Sequence, residues 1–463
     1  MNIVILALQK LGDLIQATPL IASLQGNYPE AKLSIIFRDP SVGEAAGLYF
    51  PELSTMKLTK PLDGSVSELL GECELLTNLS LDRGNLELVS LAKKAKVLGP
   101  RLVAGKLIVP PLQGLALSAM ALERRLGFVN LVDIWRRLTH NPQKRLSTPR
   151  NLNISERLKG LLGETESPGL STIAIHLGAG GRLRRYPVES MVEAVKVVAK
   201  HKDLKILLLG SRAERALTLK FMKLSESLNI PGKCVSLAGE TKLSELAAIL
   251  SRTELLISSD TGVAHLAASV GTKLLGLFFG PALSHETAPY TDKLKVIQGL
   301  APCGPCTENL GCQRAACLAL PPPWLVAELT RSALCEGTKG EMREGYAPEI
   351  GELQTYQGSL EGELFSLLPI APFPAELTEL SLSALILKKA ALSLTEGARP
   401  QEALEDGEIE RYKLKKAKPS YKTVESYLRH ISKNEFMERQ TRGIFLESAM
   451  KLLRSLEKPK KKL

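Results

Sequence analysis

The chain has 463 residues, 44% of them hydrophobic, and a formal net charge of +11. That length exceeds what one hydrophobic core supports and implies about three units, while the hydrophobic fraction excludes a disordered chain. No apolar run reaches the roughly eighteen residues of a membrane span, and the opening Met1-Asn2-Ile3-Val4 carries neither a basic leader nor a cleavage site, so the expected location is the cytoplasm.

In chain order, strand-length apolar runs alternate with helical patterns. Strands are predicted at 3–7, 33–37 and 75–79, with helices at 14–24, 85–95 and 112–138. The polar stretch 141–150, with Pro142 and Pro149, reads as a linker. The pattern then restarts, with strands at 172–176, 205–209, 234–237, 255–257 and 274–278 and helices at 188–200, 212–228, 243–251 and 262–270. This alternation predicts an α/β protein with two parallel-sheet domains, at 1–150 and 151–335. From 336 to 463 the expectation is an extension. Residues 341–373 read as a poorly structured connection, and helical apolar spacing returns at 377–394 and 422–456.

Two strand-to-helix junctions carry the chemistry. The first run, Ile3 to Leu8, gives way to Leu11-Gly12-Asp13 and a helix, where Gly12 permits a tight turn. Asp13 there is either a helix cap or a carboxylate on a cleft rim, available as a general base. In the second junction, Leu255-Leu256-Ile257 runs into Ser259-Asp260-Thr261-Gly262 and a helix containing His265. Helix-start amides beyond a strand end suit an anion. Asp260 is read there as a helix cap or a sugar-hydroxyl partner, Gly262 as room for a ligand, and His265 as a site or core histidine. Between these junctions, Gly178-Ala179-Gly180-Gly181 precedes Arg182, Arg184 and Arg185, a flexible backbone with cations that suits a diphosphate or else a solvated basic loop. Neither a Gly-x-Gly-x-x-Gly turn after a first strand nor a P-loop ending is present.

These motifs in this order resemble glycosyltransferase family nine, the lipopolysaccharide heptosyltransferases and their relatives. The resemblance rests on Leu11-Gly12-Asp13 with Thr18-Pro19, His176-Leu177-Gly178-Ala179-Gly180 with Arg184-Arg185-Tyr186-Pro187, and Asp260-Thr261-Gly262 with His265. Phe279-Gly280-Pro281, Pro289-Tyr290 and Cys303-Gly304-Pro305-Cys306 also fit. It implies a GT-B fold, two Rossmann-like parallel-sheet domains facing a cleft, to which this chain adds a mainly helical C-terminal extension. The implied donor is ADP-heptose, and the implied acceptor is a lipid-linked saccharide of the lipopolysaccharide core. The implied chemistry is an inverting transfer with no cofactor required. Asp13 is then the catalytic base, and Gly178, Arg182, Arg184, Arg185, Asp260, Thr261, Gly262 and His265 form the donor site. The chain departs from the family in having Arg184 where lysine is common and Tyr186 where tryptophan is common. The alternatives are a relative using another nucleotide sugar for surface polysaccharide or protein glycosylation, and a catalytically idle binding protein. No Asp-x-Asp pair is available to hold a divalent metal on the diphosphate.

Charge is uneven along the chain. Residues 1–330 carry a net +9, residues 331–409 a net −8 and residues 410–463 a net +10. A basic body suits anionic substrates. The basic end is a candidate for peripheral contact with an anionic inner membrane, and no nucleic-acid partner is expected. Cys303, Cys306, Cys312 and Cys317 fall within fifteen residues. They form a candidate structural zinc site, with an oxidisable or iron–sulfur site and reduced thiols as alternatives.

Overall fold

The computed structural model describes residues 1–7, 10–59, 64–110, 113–114, 129–163, 170–301, 306, 312, 315–335, 352–360 and 366–369. Most of the expected helix at 112–138, those at 377–394 and 422–456, Cys303 and the basic end lie outside the described residues.

The first sheet contains β1 (Asn2–Leu6), β2 (Lys32–Phe37), β3 (Ser54–Lys57), β4 (Leu75–Asn78) and β5 (Lys96–Leu98), all parallel, in the order β3-β2-β1-β4-β5. Its central run Ile3-Val4-Ile5-Leu6 is apolar without alternation because both faces are buried. A small antiparallel hairpin follows, formed by β6 (Arg101–Val103) and β7 (Lys106–Ile108).

The second sheet repeats the scheme. β8 (Ser171–His176), β9 (Leu204–Leu209), β10 (Lys233–Ser236), β11 (Leu255–Ser259), β12 (Lys273–Phe279) and β13 (Leu294–Leu300) are parallel, in the order β10-β9-β8-β11-β12-β13. In both sheets the order reverses beside the first strand, between β1 and β4 and between β8 and β11. In open α/β sheets the crevice beyond the strand C-termini at such a reversal is where ligands bind.

Burial divides into three apolar layers. One lies beneath the outer face of the first sheet around Val4, Leu6 and Leu76, and another beneath the outer face of the second sheet around Ile173, Ile175 and Ile257. The largest is shared. It joins Ile3 and Ile5 of β1 to Ala174 of β8 and Leu256 of β11 through helices Leu11–Asn27, Pro40–Tyr49, Leu243–Leu250 and Gly262–Ser269. The two sheets therefore meet through a continuous core, the facing arrangement expected of GT-B.

One expectation for the extension fails. Within 341–373, which the sequence presents as a poorly structured connection, β14 (Glu352–Ser359) and β15 (Ser366–Pro369) add to the second sheet antiparallel, with β14 on β13. The physical reason is the free edge of β13, whose unpaired backbone groups recruit a strand of modest apolar content.

Candidate functional site

Helix Leu11–Asn27 begins where the chain leaves β1, with Lys10 at its cap in an extended conformation. Asp13 Oδ2 accepts the Lys10 backbone N–H at 2.9 Å. Asp13 is thus a true helix-start acceptor, and its second oxygen retains acceptor capacity. Burial raises its pKa above the ordinary carboxylate value, opposed by the Lys10 N–H and the Lys10 charge.

The second junction is built differently from its sequence reading. Thr261, not Asp260, occupies the cap position of helix Gly262–Ser269, and it makes no side-chain cap bond. Asp260 Oδ2 instead accepts from Arg184 Nη1 at 3.0 Å. Burial pushes the Asp260 pKa up to about 6; Arg184 pulls it down, while the negative charges of Asp13 and Glu286 push it further up. The two strand-reversal crevices thus converge on one acidic–basic cluster, with Asp13 from the first sheet and Arg184, Asp260 and Glu286 from the second. Lys10 joins it, its Nζ lying 4.0 Å from where a side chain at Gly180 would begin.

The three loop arginines separate by partner. Arg182 donates to the Cys312 carbonyl, and Arg185 folds back onto the Ala179 carbonyl at 3.1 Å. Only Arg184 points into the acidic cluster. Tyr186 anchors the loop from beneath, donating to the Pro321 carbonyl at 2.7 Å and stacking on Phe279 with ring centroids 5.9 Å apart. Gly280 (φ +57) completes the support, since a Cβ there would come within 2.9 Å of the Leu183 carbonyl oxygen.

Gly178 makes room for a carboxylate. A Cβ at that position would fall 1.5 Å from Glu214 Oε1. Glu214 Oε2 lies 3.6 Å from His176 Nε2, and this interaction first of all draws the Glu214 pKa down to about 2. His176 Nδ1 in turn lies 3.3 Å from Thr261 Oγ1. A carboxylate, an imidazole and a hydroxyl therefore brace the start of helix Gly262–Ser269. Sequence reading passed over Glu214, Glu286 and Lys10. For Glu214 a signal existed, because Ser211 and Glu214 form a reciprocal capping box just beyond β9.

The two junction glycines and His265 face protein rather than open space. A Cβ at Gly12 would come within 3.0 Å of His265 Cδ2, and one at Gly262 within 3.1 Å of Leu11 Cδ2. The expectation that Gly262 makes room for a ligand is corrected accordingly: its missing side chain makes room for Leu11 and lets the two helix starts approach. His265 is buried, its pKa is brought down to about 4 by burial, and its Nδ1 has no hydrogen-bond partner among the described residues. It packs as a neutral ring at the junction between the sheets.

Of the cysteine cluster, Cys303 lies outside the described residues; Cys306 and Cys317 are buried and Cys312 is half-buried. Among the described residues no group of three or more metal-ligating side chains comes together.

The Asp260 carboxyl supplies a pH test. Its pKa rises on folding from 3.8 to about 6, so its stabilising contribution is full below pH 4 and is lost as pH rises through about 6. Asp260→Asn removes the ionisation. The variant should match the parent near pH 4 and become more stable at pH 7 by about 3 kcal/mol, the equivalent of a two-unit shift. Urea unfolding of both proteins from pH 4 to 7 measures the divergence, and parallel curves would mean that Asp260 ionises without cost.

A family model described as glycosyltransferase family 9 (heptosyltransferase) matches residues 143–314, which include the arginine loop, Asp260 and three of the four clustered cysteines. The lipooligosaccharide heptosyltransferase 2 of Haemophilus influenzae is 35% identical over 65 residues, covering 14% of this chain and 18% of that protein. The lipopolysaccharide core heptosyltransferase OpsX of the same organism is 29% identical over 112 residues, covering 24% of this chain and 30% of that protein. The aligned stretches thus span less than a third of either relative. Among solved structures, the ADP-heptose lipopolysaccharide heptosyltransferase II of Escherichia coli aligns with a TM-score of 0.50 at 17% identity, over 72% of this chain and 98% of that one. At that identity the likeness is one of fold.

Proposed function

The chain belongs to glycosyltransferase family 9, and from that premise we propose that it transfers a sugar, heptose from ADP-heptose, onto a lipid-linked saccharide acceptor in lipopolysaccharide core assembly. The observation that carries the reading is the meeting of Asp13 with the Arg184–Asp260 pair at the facing strand-reversal crevices. A sugar displaced from a nucleoside diphosphate needs a base for the incoming hydroxyl and positive charge for the departing phosphate, held on opposite sides of one carbon. Two domains that each present a strand-end crevice supply the two sides.

In this reading the acceptor hydroxyl attacks the anomeric carbon as Asp13 takes its proton, and the carbon–oxygen bond to the diphosphate breaks on the opposite face, inverting the centre. Arg184 is the cation that receives the leaving group, exchanging its Asp260 partner for phosphate oxygens, and the amides at the start of helix Gly262–Ser269 add fixed positive dipoles. Asp260 is then released to accept from a sugar hydroxyl. Glu214 and His176 hold Thr261 in register. Charge neutralisation and proton removal are both assigned to side chains, so the step uses no metal.

A transfer assay with ADP-heptose and a panel of other nucleotide sugars, using a truncated core saccharide as acceptor, tests the proposal. Transfer from ADP-heptose with inversion supports it, and preference for another nucleotide sugar would move the enzyme to a different glycan. Donor binding offers a separate check. Asp260→Ala removes both the sugar-hydroxyl acceptor and the partner that orients Arg184, and should weaken calorimetric affinity for the intact donor about tenfold or more, the loss of one charged hydrogen bond. Unchanged affinity in a folded variant would place the donor away from Asp260.

A further inference from the structure

The hairpin of β6 and β7 shows a surface that the transfer chemistry does not use. Its two-residue turn, Ala104-Gly105, has positive φ at both positions (+48 and +77), the tight geometry that fixes register in hairpins. The register places Leu102 opposite Leu107 and Val103 opposite Lys106. Leu102 and Val103 are nevertheless 46% and 51% exposed, two adjacent members of the small set of large apolar side chains exposed among the described residues. The surrounding sequence is basic without relief. From 88 to 122 there is no acidic residue, whereas Lys93, Lys94, Lys96, Arg101 and Lys106 all fall within it, and Lys93, Lys94 and Lys96 are exposed.

Topology fixes where this surface lies. β5 runs parallel to β4, so it ends, like β1, at the edge of the first sheet that faces the candidate site. The chain leaves that edge pinned. Asn78 Nδ2, at the end of β4, donates to the Pro100 carbonyl at 2.8 Å, and a Cβ at Gly99 (φ +99) would strike the Asn78 carbonyl oxygen at 1.9 Å. The hairpin follows immediately and so stands on the rim that carries Asp13.

We infer that this hairpin is a membrane-docking element that seats the Asp13 rim on an anionic bilayer, Leu102 and Val103 entering the headgroup–acyl boundary and the hairpin's Arg101 and Lys106 meeting acidic headgroups. Exposed apolar side chains with the hairpin's own cations, Arg101 and Lys106, beside them are the pairing that peripheral attachment requires, since neither term alone holds a protein on a membrane. Edge lysines that merely prevent strand pairing would not need an exposed Leu-Val pair beside them. The inference rests on the lipid-linked acceptor proposed above, because it turns the acceptor-side rim toward the surface where such a molecule resides.

The test is sedimentation of the full-length protein with vesicles of phosphatidylcholine containing phosphatidylglycerol, at low and high salt, compared with pure phosphatidylcholine. L102D/V103D should reduce partitioning onto the anionic vesicles about tenfold or more, and high salt should weaken the parent protein similarly. Both positions are exposed, so an unchanged melting temperature confirms the fold. Transfer to a soluble truncated acceptor should stay at the parent level while transfer to a vesicle-embedded acceptor falls. Equal sedimentation of variant and parent would overturn the inference and assign any binding to the basic end of the chain, and equal binding of the parent to neutral vesicles would overturn it as well. Loss of vesicle binding by the variant in a protein that transfers to neither acceptor would leave the docking surface standing and remove the proposed reaction.

Discussion

Asp13→Asn is expected to lower turnover by about 100-fold or more while leaving donor affinity nearly unchanged, the range for loss of a general base. The substitution is selective for physical reasons. Asparagine keeps an oxygen that can accept the Lys10 N–H, the bond that Asp13 makes at 2.9 Å, so the helix start is preserved. Only the proton-accepting capacity is removed. Because burial raises the Asp13 pKa, the parent enzyme should lose kcat/KM as pH falls through that raised value, and the variant should lack this acidic limb. Turnover near the parent level in Asp13→Asn would reduce the residue to a helix cap.

How much of this site the sequence discloses depends on the range of the interactions. The central strands of both sheets are legible because burial on two faces writes continuous apolar runs such as Ile3 to Leu6 and Leu204 to Leu209. By contrast β3, β5 and β13 are missed: β3 is mostly exposed, β5 has three residues, and Lys295, Gln298 and Gly299 interrupt the apolar run of β13. Asp13 and Asp260 are legible because each stands at the helix start that follows an apolar strand run, whereas Arg184 is legible only as one of three arginines in the loop after β8. Which partner each takes is not legible. Arg182, Arg184 and Arg185 are alike in sequence, and only the placement of the Cys312 and Ala179 carbonyls draws two of them away from Asp260. Gly262 illustrates the same limit. A glycine announces close approach, but whether a ligand or Leu11 makes that approach is decided by the packing of one sheet against the other. β14 escaped notice because its reason to be a strand is the edge of β13, and that edge exists only once the second sheet has formed.

Asp133→Ala should be the most destabilising single change in the contact between the two sheets, costing about 3–5 kcal/mol, the range for breaking a buried ion pair from one side. Asp133 Oδ1 accepts from Arg136 Nε and from Tyr290 Oη, both at 2.8 Å, and Asp133 and Arg136 are 0% and 1% exposed. The carboxylate belongs to helix Leu131–Arg136, which packs on helix Leu11–Asn27, whereas Tyr290 belongs to the segment entering β13. Beside it, Asn130 Nδ2 donates to the Ala288 carbonyl at 3.0 Å across the same boundary. Removing the carboxylate leaves a buried guanidinium without that counter-charge and a buried phenol without that acceptor. Tyr290→Phe is the milder control, deleting the phenol's hydrogen bonds to Asp133 and Arg136 for about 1–2 kcal/mol while keeping the ion pair. Chemical unfolding of the three proteins under one condition gives the comparison. A loss below about 1 kcal/mol in Asp133→Ala would mean that water or rearranged side chains replace the carboxylate at little cost, and the shared apolar layer would then hold the Asp13 and Asp260 crevices together without this buried pair.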